Sequence, residues 1–184
     1  MKKVLGVSLL LLSLTGCATL EAIKEPVDYD STYSRVTFTV DEYKGTRTYK
    51  SPLLTLKNAK FGESDLMMGN LTLTKSKNDG LYCLMTSYNN KTWAFFNSAY
   101  DINQKQLNVI NGSRNVGSMF NEVLITENNC IQMDRKYLDN AAANTGLDVK
   151  LVGEKKQMVL QVGAYYVKAF LDAVDYSEKT RFSK

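Results

Sequence analysis

Alternation at a period of two recurs along this chain and commits it to sheets. Val36, Phe38 and Val40 interleave with Thr37 and Thr39, and Leu147, Val149 and Leu151 interleave with Asp148 and Lys150. A strand sends successive side chains to opposite faces, so such runs bury one face and wet the other. Most turn signals between the runs are short, which favours antiparallel neighbours over crossover connections. The pattern predicts strands from Arg35 to Val40 and within Thr46 to Leu56, the latter broken at Pro52, which lacks the N–H a ladder needs.

The central stretch reads as a four-stranded meander. Leu71-Thr-Leu73-Thr runs into the turn Asn78-Asp79-Gly80, and Leu81 to Tyr88 returns. Asn89-Asn90 is expected to turn the chain into a strand over Thr92 to Ala99, and Asp101-Ile-Asn103-Gln turns it again into Leu107 to Ile110. Residues 111–118 (NGSRNVGS) read as a loop, and Asn128-Asn129 as a turn between Met119–Thr126 and the short run Cys130–Met133. Asp134 is placed to cap a helix carrying Tyr137, Leu138, Ala141 and Ala142 on its apolar face, ended by Gly146. A hairpin over 147–162 and a mostly buried helix over Ala164 to Val174 complete the chain. Lys168, Asp172 and Asp175 fall on one stripe of that helix. The expected fold class is therefore α+β, mainly antiparallel β, with meander and hairpins in a sandwich- or barrel-like body and two short helices near the C-terminus.

The first residues carry an address. Lys2 and Lys3 precede the apolar run Val4 to Leu14, too short for the ~20 residues of a spanning helix and suited to an export signal. Leu14-Thr15-Gly16-Cys17 follows, and this resembles the lipobox of bacterial lipoprotein precursors. The resemblance implies cleavage before Cys17, a diacylglyceryl group on its thiol, and attachment to a membrane by acyl chains. Ala18, in place of the Asp that retains such proteins at the inner membrane, implies the outer membrane. The organisation expected is a signal peptide over 1–16, a lipidated tether over 17–32 and one β-rich globular domain over 33–184.

Chemistry is constrained by absences. The chain has no histidine, which removes Ser-His-Asp and Cys-His catalysis and nearly every catalytic zinc site. S-x-x-K, G-x-S-x-G, Walker A and G-x-G-x-x-G patterns do not occur. The formal net charge is +4, half of it from Lys2 and Lys3, and the remaining lysines are scattered among acids. No nucleic-acid partner is expected, and no cofactor or metal. Asp101 and Asn103 match the start of a calcium loop, but Lys105 and Gln106 stand where a ligand and a glycine belong.

With Cys17 taken by lipid, Cys83 and Cys130 form an even pair in an oxidising compartment, a candidate disulfide. Two buried free thiols are the alternative. Trp93, Phe95 and Phe96 fall on both faces of one expected strand, which points to core packing rather than to stacking on sugar rings. Arg114 in the 111–118 loop is a candidate anion contact, and Asp172 with Asp175 a candidate acid/base pair that more naturally forms a solvated stripe with Lys168. The expected function is a non-enzymatic, lipid-anchored binding or envelope-assembly module with an envelope-protein or cell-wall partner. A carboxylate-dependent envelope hydrolase and a surface-exposed adhesin are the alternatives.

Overall fold

The computed structural model describes residues 25–57, 66–76, 79–119 and 122–182. The signal segment, Cys17 and Asn78 of the expected turn lie outside the described residues. The chain is α+β and mostly antiparallel strand, as its alternation predicts. A short helix α1 (Tyr29–Tyr33) precedes β1 (Thr37–Asp41), β2 (Thr46–Lys50), β3 (Leu54–Lys57), β4 (Leu66–Lys75) and β5 (Gly80–Asn90). Then come β6 (Phe96–Asp101), β7 (Gln106–Leu107), β8 (Val109–Met119), β9 (Glu122–Met133) and α2 (Arg135–Ala143). Strands β10 (Leu147–Gly153) and β11 (Gln157–Val162) and the long helix α3 (Ala164–Phe182) follow.

The strands form two sheets. The larger has the order β1-β2-β4-β5-β9-β8, with β3 also paired to β4, and the smaller has the order β11-β10-β6-β7. Strand β4 is long enough to take two partners on one side: β2 beside Thr72–Lys75 and β3 beside Met67–Gly69. The break between them is Ser51-Pro52-Leu53, where proline has no N–H to give. Ser51 stands in for the missing rungs: its N–H donates to the Leu71 carbonyl at 3.0 Å and its Oγ accepts the Leu71 N–H at 2.8 Å. The Tyr166 hydroxyl, from α3, lies 2.6 Å from Ser51 Oγ and donates to the Pro52 carbonyl.

Inward residues of both sheets and of α3 share one hydrophobic core, with Leu71, Leu84, Ile131, Leu151, Leu160 and Phe170 fully enclosed. Helix α3 is held from its middle to its C-terminal end by polar ties as well. Asp172 accepts from the Tyr29 hydroxyl at 2.8 Å and from Lys168 at 2.6 Å, and Arg135 grips Asp175 through two nitrogens at 2.6 and 2.7 Å. Near its C-terminal end Glu178 accepts from the Tyr49 hydroxyl and from Lys75, both at 2.6 Å, with Arg47 at 3.5 Å. Helix α2 starts as expected, with Asp134 accepting the Tyr137 N–H at 2.6 Å, and the chain leaves it through Gly146 at φ +95°, a backbone state only glycine adopts freely.

Several expectations are corrected. The four-stranded meander does not form, because β5 pairs with β9 and the chain crosses to the smaller sheet before β6. Residues 111–118 are not a loop but most of the edge strand β8; their Gly, Ser and Asn content reflects a strand exposed along its length rather than a turn. Asn128-Asn129 does not turn either, since β9 runs unbroken between partners on both sides, and pairing overrides the turn preference of asparagine. The described part of the expected tether, residues 25–32, makes contacts with the β-rich body: Glu25 accepts the Thr55 N–H at 2.7 Å and Tyr165 donates to the Pro26 carbonyl at 3.3 Å. The last helix runs past Val174 to Phe182.

Glu178 makes stability acid-sensitive. Burial raises its pKa, but hydrogen bonds from Lys75 and Tyr49 and the charges of Lys75 and Arg47 outweigh that and hold it below the ordinary value of 4.5. Its contribution is complete above that value and is lost as pH falls through the lower folded-state pKa. Denaturant midpoints of Glu178→Gln should therefore lie below those of the parent at neutral pH and converge toward them under acid. Parallel pH profiles for the two proteins would count against the tie.

Candidate functional site

At the end of β5 the sequence leaves its sheet in a strained, heavily braced turn. Asn90 Oδ1 accepts the N–H groups of Lys91 and Thr92 at 2.5 and 3.2 Å, so the turn expected at Asn89-Asn90 begins one residue later, after β5 has ended. Ala94 and Phe95 then meet Glu127, an inward residue of β9 that is 1 % exposed. One carboxylate oxygen, Oε1, accepts both N–H groups, Ala94 at 2.5 Å and Phe95 at 3.1 Å. On the other side the β10–β11 turn donates to their carbonyls, Lys155 N–H to Ala94 at 3.2 Å and Glu154 N–H to Phe95 at 3.4 Å. Gly153 makes this approach possible, because a Cβ there would lie 2.4 Å from the Ala94 oxygen.

This bracing holds Phe95 at φ +56°, a left-handed conformation that costs an ordinary L-residue about 1–2 kcal/mol. Its effect is to separate the aromatic cluster. Ala94 and Phe96 are fully buried, and Phe96 packs edge-on against Tyr88 at 5.3 Å between centroids. Trp93 and Phe95 are only partly buried and stand outside the hydrophobic core, their rings 5.9 Å apart and inclined at 31°. Core packing, expected of all three aromatics, holds for Phe96 alone. The reason is that Thr92–Ala99 is not one strand: β6 begins at Phe96, and the preceding residues form the crossover.

Two cations complete the cluster. The Arg114 guanidinium sits 5.2 Å over the Phe95 ring and the Lys155 ammonium 5.6 Å over the same ring. Arg114 Nε is also 3.7 Å from Glu127 Oε2, an oxygen that accepts no hydrogen bond among the described residues. One pleat further along the inner face of β9, the Asn129 amide nitrogen is likewise buried without a hydrogen-bond partner among them. Buried polar atoms are rarely left so, and these two belong to residues on one face of β9. Glu127 was legible in principle: once β9 is taken as continuous, Ile125, Glu127, Asn129 and Ile131 share one face, and an acid between isoleucines marks a buried carboxylate.

The other candidates resolve differently. Cys83 and Cys130 are joined, with Sγ atoms 2.01 Å and Cα atoms 5.2 Å apart. Cys83 stands opposite Gln132 and Cys130 opposite Met85, so the two are diagonal neighbours on the outer face of the larger sheet. Asp101 Oδ1 accepts the N–H groups of Asn103 and Lys105 at 2.9 and 2.8 Å, the work of a turn rather than of a calcium ligand. Arg114 lies on β8, not in a loop, and faces Glu127. Asp172 and Asp175 are each occupied by a separate cation, Lys168 and Arg135. Burial raises the Asp172 pKa, but hydrogen bonds from Lys168 and Tyr29 bring it below the ordinary carboxylate value, which suits a tie and not a proton donor.

A concavity of about 440 Å³ lies on the outer face of the larger sheet. Thr48, Thr72, Thr74, Asn70, Ser87 and Asn128 line it with uncharged hydroxyl and amide groups, beside Lys50 and Met85. No family model, curated protein or solved structure matches this chain. The functional reading therefore rests on the residues themselves. Among the described residues no group of three or more His, Cys, Asp or Glu side chains is arranged to hold a metal ion.

Two stability outcomes follow. Removing the disulfide with Cys83→Ala and Cys130→Ala frees a loop of sequence separation 47, worth about 4 kcal/mol on the chain-entropy estimate; a denaturant midpoint unchanged by the pair of substitutions would show the bond to be without weight. Glu127→Leu leaves the buried Ala94 N–H and the part-buried Phe95 N–H without their acceptor, at about 1–3 kcal/mol for the buried one. It should also change the emission of Trp93, the chain's single tryptophan, before global unfolding.

Proposed function

We propose that the mature chain is a lipid-anchored envelope lipoprotein, attached through Cys17 at the outer membrane, whose β-rich body is a binding module rather than an enzyme. The observation that carries this reading is the Leu14-Thr15-Gly16-Cys17 box placed directly after a short apolar run with a basic start. The partnering of Cys83 with Cys130 supports it, since a bonded pair suits an oxidising compartment and leaves Cys17 as the one cysteine outside the pair. Ala18 after the cysteine favours the outer membrane over the inner by the same resemblance.

The binding role is supported by how the acids are used. Glu127, Asp172, Asp175 and Glu178 are each committed to hydrogen bonds or ion pairs within the fold. Carboxylate catalysis asks instead for a pair of acids across a cleft with their pKa values pushed apart. The Trp93–Phe95 turn and the hydroxyl-lined face of the larger sheet are the surfaces offered to a partner.

Metabolic labelling with radioactive palmitate tests the anchor. The parent should take up label, and its N-terminal peptide should begin at a diacylglyceryl-modified Cys17. Cys17→Ser should take up none, because a hydroxyl does not replace the thiolate in alkyl transfer. Label retained by that variant, or absent from the parent, would overturn the assignment.

A further inference from the structure

We infer that the turn carrying Trp93 and Phe95 is a saccharide-binding site for a sugar acid, its ring laid against Trp93 and its carboxylate held by Arg114 and Lys155. The inference deepens the binding-module reading proposed above and rests on it for the claim that the site binds without turnover.

The first argument is that the turn is built at a cost. A non-glycine residue is held at φ +56°, a buried carboxylate accepts two main-chain N–H groups, and a glycine is required at 153 for the bracing turn to approach. All of this serves to put Trp93 and Phe95 outside the core, where burial returns less than it does for Phe96. The second argument is size. The Trp93 and Phe95 rings pack on each other, centroids 5.9 Å apart and planes inclined at 31°, and so form one small aromatic platform of the size on which a single pyranose ring stacks.

Charge then selects the ligand. Arg114 and Lys155 both sit over Phe95, the ring that neighbours Trp93, and a guanidinium presents paired donors that match a carboxylate. Their positive charge is tempered by Glu127 behind Arg114 and by Glu154 next to Lys155 in sequence. A site so balanced suits the single negative charge of a uronate better than a doubly charged phosphate. The orphaned Glu127 Oε2 fits the same picture, because Arg114 held at 3.7 Å is paired loosely enough to turn its outer nitrogens to an incoming carboxylate.

Trp93 is the only tryptophan in the chain, so its emission reports this site directly. Processed full-length protein in detergent should be titrated with oligogalacturonate, with neutral dextran, inorganic phosphate and polyglutamate in parallel. The expected result is a saturable change in emission with oligogalacturonate alone, weakened by added salt. Lys155→Gln, an exposed substitution that leaves the Glu127 braces intact, should weaken it about tenfold, and Arg114→Gln further, provided circular dichroism shows each variant folded. No saturable response to oligogalacturonate would overturn the inference. An equal response to dextran, phosphate or polyglutamate, or an undiminished one in Lys155→Gln, would do the same. Reducing ends released during the titration would leave the site standing but defeat the binding-module reading, whereas failure of palmitate labelling touches the anchor alone.

Discussion

A single buried carboxylate decides how this chain divides between its two sheets. Where β5 ends, the backbone must cross from one sheet to the other, and residues in the crossing lose their ladder partners while still enclosed by protein. Glu127 supplies the missing acceptor for two of them at once, and the β10–β11 turn satisfies their carbonyls from the smaller sheet. An enclosed N–H without an acceptor costs about 1–3 kcal/mol, so a crossover at another point would need a comparable device. The separate sheets, the burial of Phe96 and the outward placement of Trp93 all descend from that arrangement.

The periodic parts of this architecture could be read from sequence with little loss. Strand β1, the β10–β11 hairpin, the Asp134 cap, the exit at Gly146 and the break at Pro52 are local matters, and local rules place them. The errors share a cause. Asn128-Asn129 and the run 111–118 have the composition of turns, but composition does not register that β5 and β8 pair with β9 from both sides. Reading a turn there split β9, which removed Glu127 from the inward face and hid its role. The meander failed for the related reason that nothing in residues 89–99 says which sheet will accept them.

The disulfide shows a different limit. Alternation puts Cys83 on one face with Met85 and Cys130 on one face with Gln132, and taken strand by strand it does not say whether those two faces are the same. Register makes these four residues a single patch on the outer face, with the cysteines on its diagonal. Sequence spacing offers candidates for a bond, and strand register chooses among them.

The position of that bond also determines how the molecule bears tension. A pull on the 91–95 turn enters β5 at Asn90 and can peel it from β9 one rung at a time, through Asn89, Tyr88 and the pairs behind them. Met85 stands opposite Cys130, and two residues further on Cys83 is covalently tied to that same cysteine. Unzipping from that end therefore meets a covalent stop before the remaining rungs of β5 are strained. Hydrogen bonds carry the load in the outer half of the strand pair, and a bond that thermal motion cannot break guards the half nearer Gly80. The result is a mechanical fuse: under load at that turn, the part of the strand pair beyond the bond can yield and re-form while the rungs behind it stay in register.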